Sequence, residues 1–160
     1  MSFITKMRKW ILGGAGNHRS VNMELASGQR MADVTYREID SYIEMVKLGI
    51  EDFLILSSQD GYLQFYGVND QFVAEMRVNL HDDDFRTYSF IVPDKERCLE
   101  RIVLNTPYGQ FTPTEREVLP LTLLKTVVKN YYDNIDTEEF LKSVSYVDTT
   151  EDTKRYMGLV

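Results

Sequence analysis

The sequence contains 160 residues, of which 43% are hydrophobic, and it includes ten Tyr, eight Phe and one Trp. This length and aromatic content predict one folded domain over residues 1–160 and exclude an intrinsically disordered chain. The formal net charge of −7 argues against nucleic-acid binding, which requires cations to neutralise phosphates. It suits a basic protein partner, and it also suits simple solubility.

Residues 1–20 begin with apolar side chains at helical spacing and continue into the glycine-containing sequence "GGAGNHRS". We predict an N-terminal helical arm followed by a Gly-rich linker. A membrane-surface helix is the alternative for the arm. A phosphate-binding loop is disfavoured, because no strand precedes the glycines and no Gly-Lys-Ser/Thr sequence follows them.

The arm does not resemble a secretion signal, because Lys6, Arg8 and Lys9 interrupt its apolar residues. No stretch of the sequence is as long and apolar as a membrane-spanning helix. Cys98 is the single cysteine, which excludes an internal disulfide and fits a reducing compartment. We therefore expect a cytoplasmic protein without a membrane span.

The clearest helix signal covers residues 36–48. Thr35 and Glu38 have the spacing of a capping box, in which the two side chains accept from free backbone N–H groups of the first turn. Apolar residues then recur with the helical period, and Gly49 ends the pattern. The recurring residues are Ile39, Ile43 and Val46.

Four segments with alternating apolar and polar residues follow, roughly between residues 52 and 91. The links between them are short, and Asp60-Gly61 is typical of a tight hairpin turn. Successive strands with short links predict an antiparallel meander with one buried face and one partly solvated face. The predicted strands are Phe53–Ser57, Tyr62–Tyr66, Phe72–Val78 and Phe85–Ile91, and the solvated face is expected to carry Tyr62, Gln64, Tyr66, Glu75 and Arg77.

The following part of the chain is predicted to be mostly helical. Residues 94–104 are expected to form a helix, because apolar residues cluster on one side of it. Residues 113–132 are expected to form further helix, with Thr112 and Glu115 as a capping box and Pro120 as an interruption. The apolar cluster in the first of these segments comprises Cys98, Leu99, Ile102 and Val103.

The last part of the chain is acidic, since residues 133–152 contain seven acids against Lys142 alone. A short helix is predicted to begin at Asp136. The elements together predict an α+β fold, in which an antiparallel meander of about four or more strands packs with the helix at 36–48 and with the C-terminal helices.

No residue pattern indicates a reaction. His18 and His81 are the two histidines that could serve as a general base, and both lie in polar, loop-like sequence. The "HDDD" sequence at 81–84 offers oxygen ligands for a cation, but neighbouring side chains of an extended segment point to opposite faces and calcium-loop spacing is absent. We predict no catalytic residue, no metal site and no cofactor, and therefore not an enzyme.

This arrangement resembles the small α+β immunity proteins of bacterial polymorphic-toxin systems. In some of those families a basic, glycine-containing N-terminal segment precedes a helix, a meander and further helices. The resemblance covers about residues 1–92 and depends on short motifs in the meander. The matching residues are Phe53-Leu54-Ile55-Leu56, Tyr62-Leu63-Gln64, Gly67, Ala74-Glu75-Met76-Arg77 and Phe85-Arg86-Thr87-Tyr88.

The resemblance implies a protein that binds a cognate toxin domain in the producing cell and blocks its active site or an essential surface. A basic toxin, such as a nuclease, would suit the acidic charge, and the oligomeric state stays open. The residues expected to contact the toxin are Tyr62, Tyr66, Arg77, Asp82, Asp83, Asp84 and Arg86.

Two other interpretations of the sequence are retained. An acidic secretion or effector chaperone would show an exposed apolar groove and form a homodimer. A small hydrolase or ligand-binding domain would show a deep pocket with converging polar groups, such as His81 beside two aspartates.

Overall fold

A computed structural model describes residues 18–81 and 83–160, so Asp82 and most of the predicted N-terminal arm lie outside the described residues. Within these residues the chain has an α+β fold with a seven-stranded antiparallel sheet, a two-stranded hairpin and four α-helices. The strands are β1 (Asn22–Leu25), β2 (Arg30–Met31), β3 (Phe53–Ser58), β4 (Gly61–Val68), β5 (Gln71–Asn79), β6 (Phe85–Phe90), β7 (Leu104–Thr106), β8 (Gly109–Phe111) and β9 (Tyr146–Asp148). The helices are α1 (Tyr36–Lys47), α2 (Leu121–Asp133), α3 (Thr137–Lys142) and α4 (Thr150–Tyr156).

The strand order of the large sheet is β2-β1-β3-β4-β5-β6-β9. Strands β3 to β6 pair antiparallel in direct succession, which confirms the predicted meander. Strands β1, β2 and β9 extend the meander at its two edges. The sequence does not predict these three strands, because segments of two to four residues are too short for a clear alternation.

The pleat gives the sheet an apolar inner face. Leu56, Leu63, Met76 and Tyr88 form one row of register partners across β3 to β6, and all four are buried. Leu56, Leu63 and Met76 belong to one core cluster with residues of α1 and α2, including Ile39, Ile43, Leu124 and Val128. Each large side chain buried in this way stabilises the fold by about 1.5–3 kcal/mol before entropy is counted.

Helix α1 confirms the prediction for residues 36–48 within one residue. The backbone N–H of Thr35 donates to Oε2 of Glu38 at 2.7 Å, and the N–H of Glu38 donates to Oγ1 of Thr35 at 3.3 Å. The hydrogen bond from the Thr35 backbone is the main reason that the pKa of Glu38 is lowered. Gly49 follows the helix with a φ of 71°, a left-handed conformation that glycine adopts without strain.

The helix predicted for residues 94–104 is wrong. This segment contains a single 3-10 turn, Pro93–Lys95, and then runs extended into β7. Its backbone pairs with the chain that follows β8: the N–H of Ile102 donates to the Pro113 carbonyl at 2.9 Å. Hydrogen bonds across the β7–β8 hairpin therefore outweigh the local apolar spacing, which fits a helix and an extended ribbon equally well.

The helix predicted for 113–132 is correct only in its second part. Helix α2 begins at Leu121, directly after Pro120. Before it lies a 3-10 turn, Glu115–Glu117, whose capping box is formed by Thr114 and Glu117 rather than by Thr112 and Glu115. Helix α3 has Asp136 as its N-cap, as predicted for the acidic segment.

Two segments cover parts of the opposite, outer face of the sheet. The first is the ribbon, which we define as residues 98–116 and which includes β7 and β8. Its Phe111 ring lies 4.4 Å from the Tyr66 ring on β4. The second is α4, which packs along β6: the hydroxyls of Thr87 and Thr153 are 2.9 Å apart.

Arg19 joins the inner helices to the end of β3. It is 4% exposed, and its Nε donates to the carbonyls of Tyr131 and Asn134 at 3.1 Å each. Its two Nη atoms lie 3.3 Å from Oγ of Ser58 and 3.4 Å from Oγ1 of Thr137. The arginine thus binds three elements at once: the last turn of α2, the end of β3 and the first residue of α3.

The charge of Arg19 is balanced by a helix end rather than by a salt bridge. None of the ion pairs among the described residues includes Arg19. Its acceptors at Tyr131 and Asn134 belong to the C-terminal end of α2, where unpaired carbonyls carry partial negative charge. Burial is the main cause that lowers the pKa of Arg19, and nearby Tyr131, Asp60 and Asp136 oppose that effect.

We expect Arg19→Met to lower the free energy of unfolding by about 2–4 kcal/mol, because it leaves buried carbonyls without donors. Arg19→Lys should recover little of this, since one ammonium cannot reproduce the planar array of donors. Urea denaturation measures both. Arg37→Met on the exposed side of α1 is the matched control and should stay within about 0.5 kcal/mol of the parent. If Arg19→Met changes the free energy of unfolding as little as Arg37→Met does, Arg19 is not needed for stability.

Candidate protein-binding surface

The outer face has a half-buried part between the ribbon and α4, which we call the strip. Cross-strand pairs order its side chains into two rows, one of which places Tyr62 beside Arg77. In the other row, Nε2 of Gln64 donates to Oε2 of Glu75 at 3.1 Å. The strip comprises Ile55, Ser57, Tyr62, Gln64, Glu75 and Arg77, all of them half-buried.

Gly61 keeps β4 close to β5 at the end of the strip. Its φ is 146°, and a Cβ at this position would lie 1.9 Å from the carbonyl oxygen of Arg77. Any larger residue would therefore push the two strands apart. The glycine of the predicted Asp60-Gly61 turn thus also sets how closely the backbone of Arg77 approaches β4.

Arg77 packs against an aromatic ring and takes part in none of the ion pairs of residues 18–81 and 83–160. Its Cζ is 3.9 Å from the centre of the Phe85 ring, which is a cation–π contact. Its Nε is buried and forms no hydrogen bond with the described part of the chain. A buried donor without an acceptor costs about 1–3 kcal/mol, and the Nε of Arg116 and Oδ1 of Asp52 are in the same situation among the described residues.

Tyr66 lies beneath the ribbon rather than on the strip. Burial is the main cause that raises its pKa to about 12, and the carboxylates of Glu75 and Glu117 add to the effect. Its ring packs on Phe111. The structure therefore separates Tyr66 from Tyr62, although the sequence predicts that both belong to one partner-binding surface.

A cleft of about 440 Å³ lies where β6 begins, next to α4. Among the described residues its lining has four carboxylates and two cations, an excess of two negative charges. The carboxylates come from parts of the chain that are far apart in sequence, the β5–β6 turn on one side and the segment from β9 to α4 on the other. The charged lining residues are Asp84, Arg86, Asp148, Glu151, Asp152 and Lys154, beside the uncharged Leu80, Phe85 and Thr150.

An ion pair and several hydroxyl contacts hold α4 at the cleft. Nζ of Lys154 is 2.6 Å from Oδ1 of Asp84, and this contact is the main cause that lowers the pKa of Asp84. The backbone N–H of Thr87 donates to Oγ1 of Thr150 at 3.1 Å. On the other side of the cleft, Tyr88 and then Asp148 and Asp84 raise the pKa of Arg86.

The structure brings some of the predicted contact residues together and separates others. Tyr62 and Arg77 are neighbours on the strip, and Asp84 and Arg86 both line the cleft. Arg86 is the register partner of Val78, so its side chain points to the inner face of the sheet, whereas the side chain of Arg77 points to the outer face. Asp83 is exposed, with a left-handed φ of 59°, and does not line the cleft. The predicted contact residue Asp82 lies outside the described residues.

The sequence analysis missed the acids that the C-terminal segment adds to the cleft, Asp148, Glu151 and Asp152. The signal was present as the acidic bias of residues 133–152. What the sequence could not give was the pairing of β9 with β6, which carries this segment to the β5–β6 turn.

Neither the cleft nor the remaining described residues form a metal site. Across residues 18–81 and 83–160, no group of three or more His, Cys, Asp or Glu side chains is placed to hold a metal ion. His81 is exposed and does not line the cleft. The pocket expected for a hydrolase, with His81 beside two aspartates, is therefore not the cleft observed here.

None of the helices in residues 18–81 and 83–160 is both long and apolar enough to cross a membrane.

We expect Lys154→Met to raise the pKa of Asp84 towards its ordinary value, because the ammonium is the main cause that lowers it. A lowered pKa means that the pair stabilises the fold above the unfolded-state pKa of about 3.9 and that this contribution is lost as pH falls through the folded-state pKa. NMR titration of the carboxyl carbons measures the change. Glu44, whose pKa is lowered chiefly by Lys125, is the internal control and should not change; an unaltered Asp84 would contradict the assignment.

Comparison with protein-family models, with curated proteins and with solved structures gave no significant match for this chain.

Proposed function

We propose that this protein is an immunity protein that binds a cognate toxin domain in the cytoplasm of the producing bacterial cell and neutralises it by direct contact. The observation that carries the proposal is the acidic cleft, in which carboxylates from distant parts of the sequence converge. The strand motifs of β3 to β6, which resemble those of immunity proteins, support the class of partner.

The charge of the cleft favours a basic toxin. Proteins that act on nucleic acids hold phosphates with lysine and arginine, and an acidic surface is complementary to such a site. Opposite fields also accelerate encounter between two proteins and disfavour partners of the same charge. A nuclease is therefore the toxin that the cleft fits best.

The strip next to the cleft extends the proposed contact area. Phe85 connects the two regions, because it lines the cleft and also lies under the guanidinium of Arg77. A stable complex buries about 800 Å² on each partner, which is more than a cleft of this size supplies by itself. Tyrosine and arginine are enriched among the residues that dominate binding energy, which favours Tyr62 and Arg77 as the central contacts.

Co-expression with toxin domains encoded beside this gene tests the proposal. We expect one neighbouring reading frame to stop growth when expressed alone and to be tolerated when this protein is present. We also expect the two purified proteins to form a complex. If no neighbouring frame is toxic, or if toxicity persists at equal expression, the proposal fails.

Removal of carboxylates from the cleft should slow association with the toxin. For the double variant Glu151→Gln, Asp152→Asn we expect an association rate about three- to tenfold lower and a weaker dependence on salt. Stopped-flow or surface-based kinetics measure both quantities.

The double variant Glu96→Gln, Glu100→Gln is the matched control for the cleft variant. It removes the same charge from two exposed residues that follow the far end of β6. Equal slowing in both variants would assign the effect to net charge rather than to the cleft.

A cluster of exposed apolar residues favours the chaperone interpretation as the second candidate. Leu48 is 68% exposed, Ile50 is 56% exposed and Tyr108 is 54% exposed, and the Tyr108 hydroxyl donates to the Ile50 carbonyl at 3.0 Å. Exposed apolar patches commonly mark interaction sites. The two functions predict different behaviour in solution. The chaperone is favoured if light scattering shows a homodimer, if Leu48→Asp dissociates that dimer, and if the protein neutralises no toxin.

A further inference from the structure

We propose that Arg77 is a binding site for a carboxylate on the partner protein, which approaches over the strip. This inference rests on the proposed function in assuming a protein partner, and it adds the chemistry of one contact. The partner's contact surface must then carry both signs of charge: a carboxylate that binds Arg77 and cations that face the acidic cleft.

The Nε donor of Arg77 is unsatisfied among the described residues. Nε of Arg77 is shielded from solvent without an acceptor among the described residues. The guanidinium of an arginine can donate from Nε and one Nη in parallel to a single carboxylate. Binding would thus remove a cost that the unbound side chain carries.

Two acids close to Arg77 in the sheet, Glu75 and Asp84, already have other partners. Glu75, two residues away on the same face, accepts from Gln64 at 3.1 Å. Asp84, next to the ring that supports Arg77, pairs with Lys154 at 2.6 Å. Arg77 takes part in none of the ion pairs formed by the described residues. The strip therefore contains an arginine that forms no ion pair among the described residues, with the Glu75 carboxylate as the other charge on the same face.

The guanidinium of Arg77 is preorganised for a ligand by its neighbours. The Phe85 ring holds the guanidinium at 3.9 Å, and Phe85 itself is buried. Tyr62, the register partner of Arg77 on β4, places a second donor on the same face. An arginine that is already ordered on an aromatic ring loses little entropy when a ligand binds.

A carboxylate fits this position better than a phosphate of nucleic acid. The chain carries a net charge of −7, which repels a polyanion but not a single acidic side chain on a basic protein. The acidic cleft begins beside the same phenylalanine. A partner with alternating charge is complementary to both regions at once.

The partner-independent test is NMR of the protein labelled with ¹⁵N-arginine. We expect acetate, but not chloride at equal ionic strength, to shift the Nε–H resonance of Arg77 saturably, while the exposed Arg37 responds weakly and linearly. Equal behaviour of the two arginines, or no saturable shift, would overturn the proposal. A larger response to inorganic phosphate than to acetate would overturn the choice of carboxylate.

Asp82, outside the described residues, supplies a further control in the same experiment. Asp82→Asn should leave the Arg77 resonance in place. If Asp82→Asn without acetate shifts the Arg77 resonance by as much as acetate binding shifts it in the parent, Asp82 is itself the acceptor for Arg77 and the proposal is wrong.

The partner-dependent test uses the toxin found by co-expression. Arg77→Met preserves apolar contact with Phe85 and removes the donors, and Arg77→Lys preserves the charge but not the paired geometry. We expect both variants to raise the Kd for the toxin about tenfold or more. The control Arg37→Met should change Kd less than twofold. All three variants should unfold at the same midpoint as the parent protein. Unchanged affinity in both Arg77 variants would overturn the proposal. If acetate binds at Arg77 but co-expression identifies no toxin, the proposed function is wrong and the anion site at Arg77 is still supported.

Discussion

The inner face of the meander buries a continuous apolar row, formed by Leu56, Leu63 and Met76 on neighbouring strands, and this burial determines the register of the sheet. A slip by one residue would turn every inner side chain outwards. The same pleat therefore places Tyr62 and Arg77 on the outer face. The binding surface is thus a consequence of how the core is packed.

Arg19 joins the inner layer to the sheet and takes part in none of the ion pairs of the described residues. Its guanidinium donates to carbonyls at the C-terminal end of α2 and reaches Ser58 at the end of β3. A helix end offers several weakly negative acceptors at fixed positions, which match the planar set of donors of arginine. A carboxylate in the same place would have to be desolvated as well, at considerable cost.

The outer layer combines two kinds of surface that a protein partner can recognise. The cleft beside α4 carries excess negative charge, whereas Arg77 on the strip is a cation without an acidic partner among the described residues. Phe85 contacts both, so their relative position is fixed by one buried ring. Fixed charges of opposite sign provide specificity, because a wrong partner meets repulsion or leaves a charge unpaired.

The amino-acid sequence by itself determined the meander and α1, because both depend on local signals: alternation in β3 to β6, and the capping box of Thr35 and Glu38 with Gly49 as the stop. It also indicated which side chains share the outer face. Tertiary structure decided the rest. Residues 98–116 became a ribbon through pairing with each other across a turn, the acids of β9 and α4 reached Asp84 through pairing with β6, and Tyr66 was covered. Spacing along one segment records its own periodicity, but contacts between distant segments depend on hydrogen bonds and burial that form only in the folded chain.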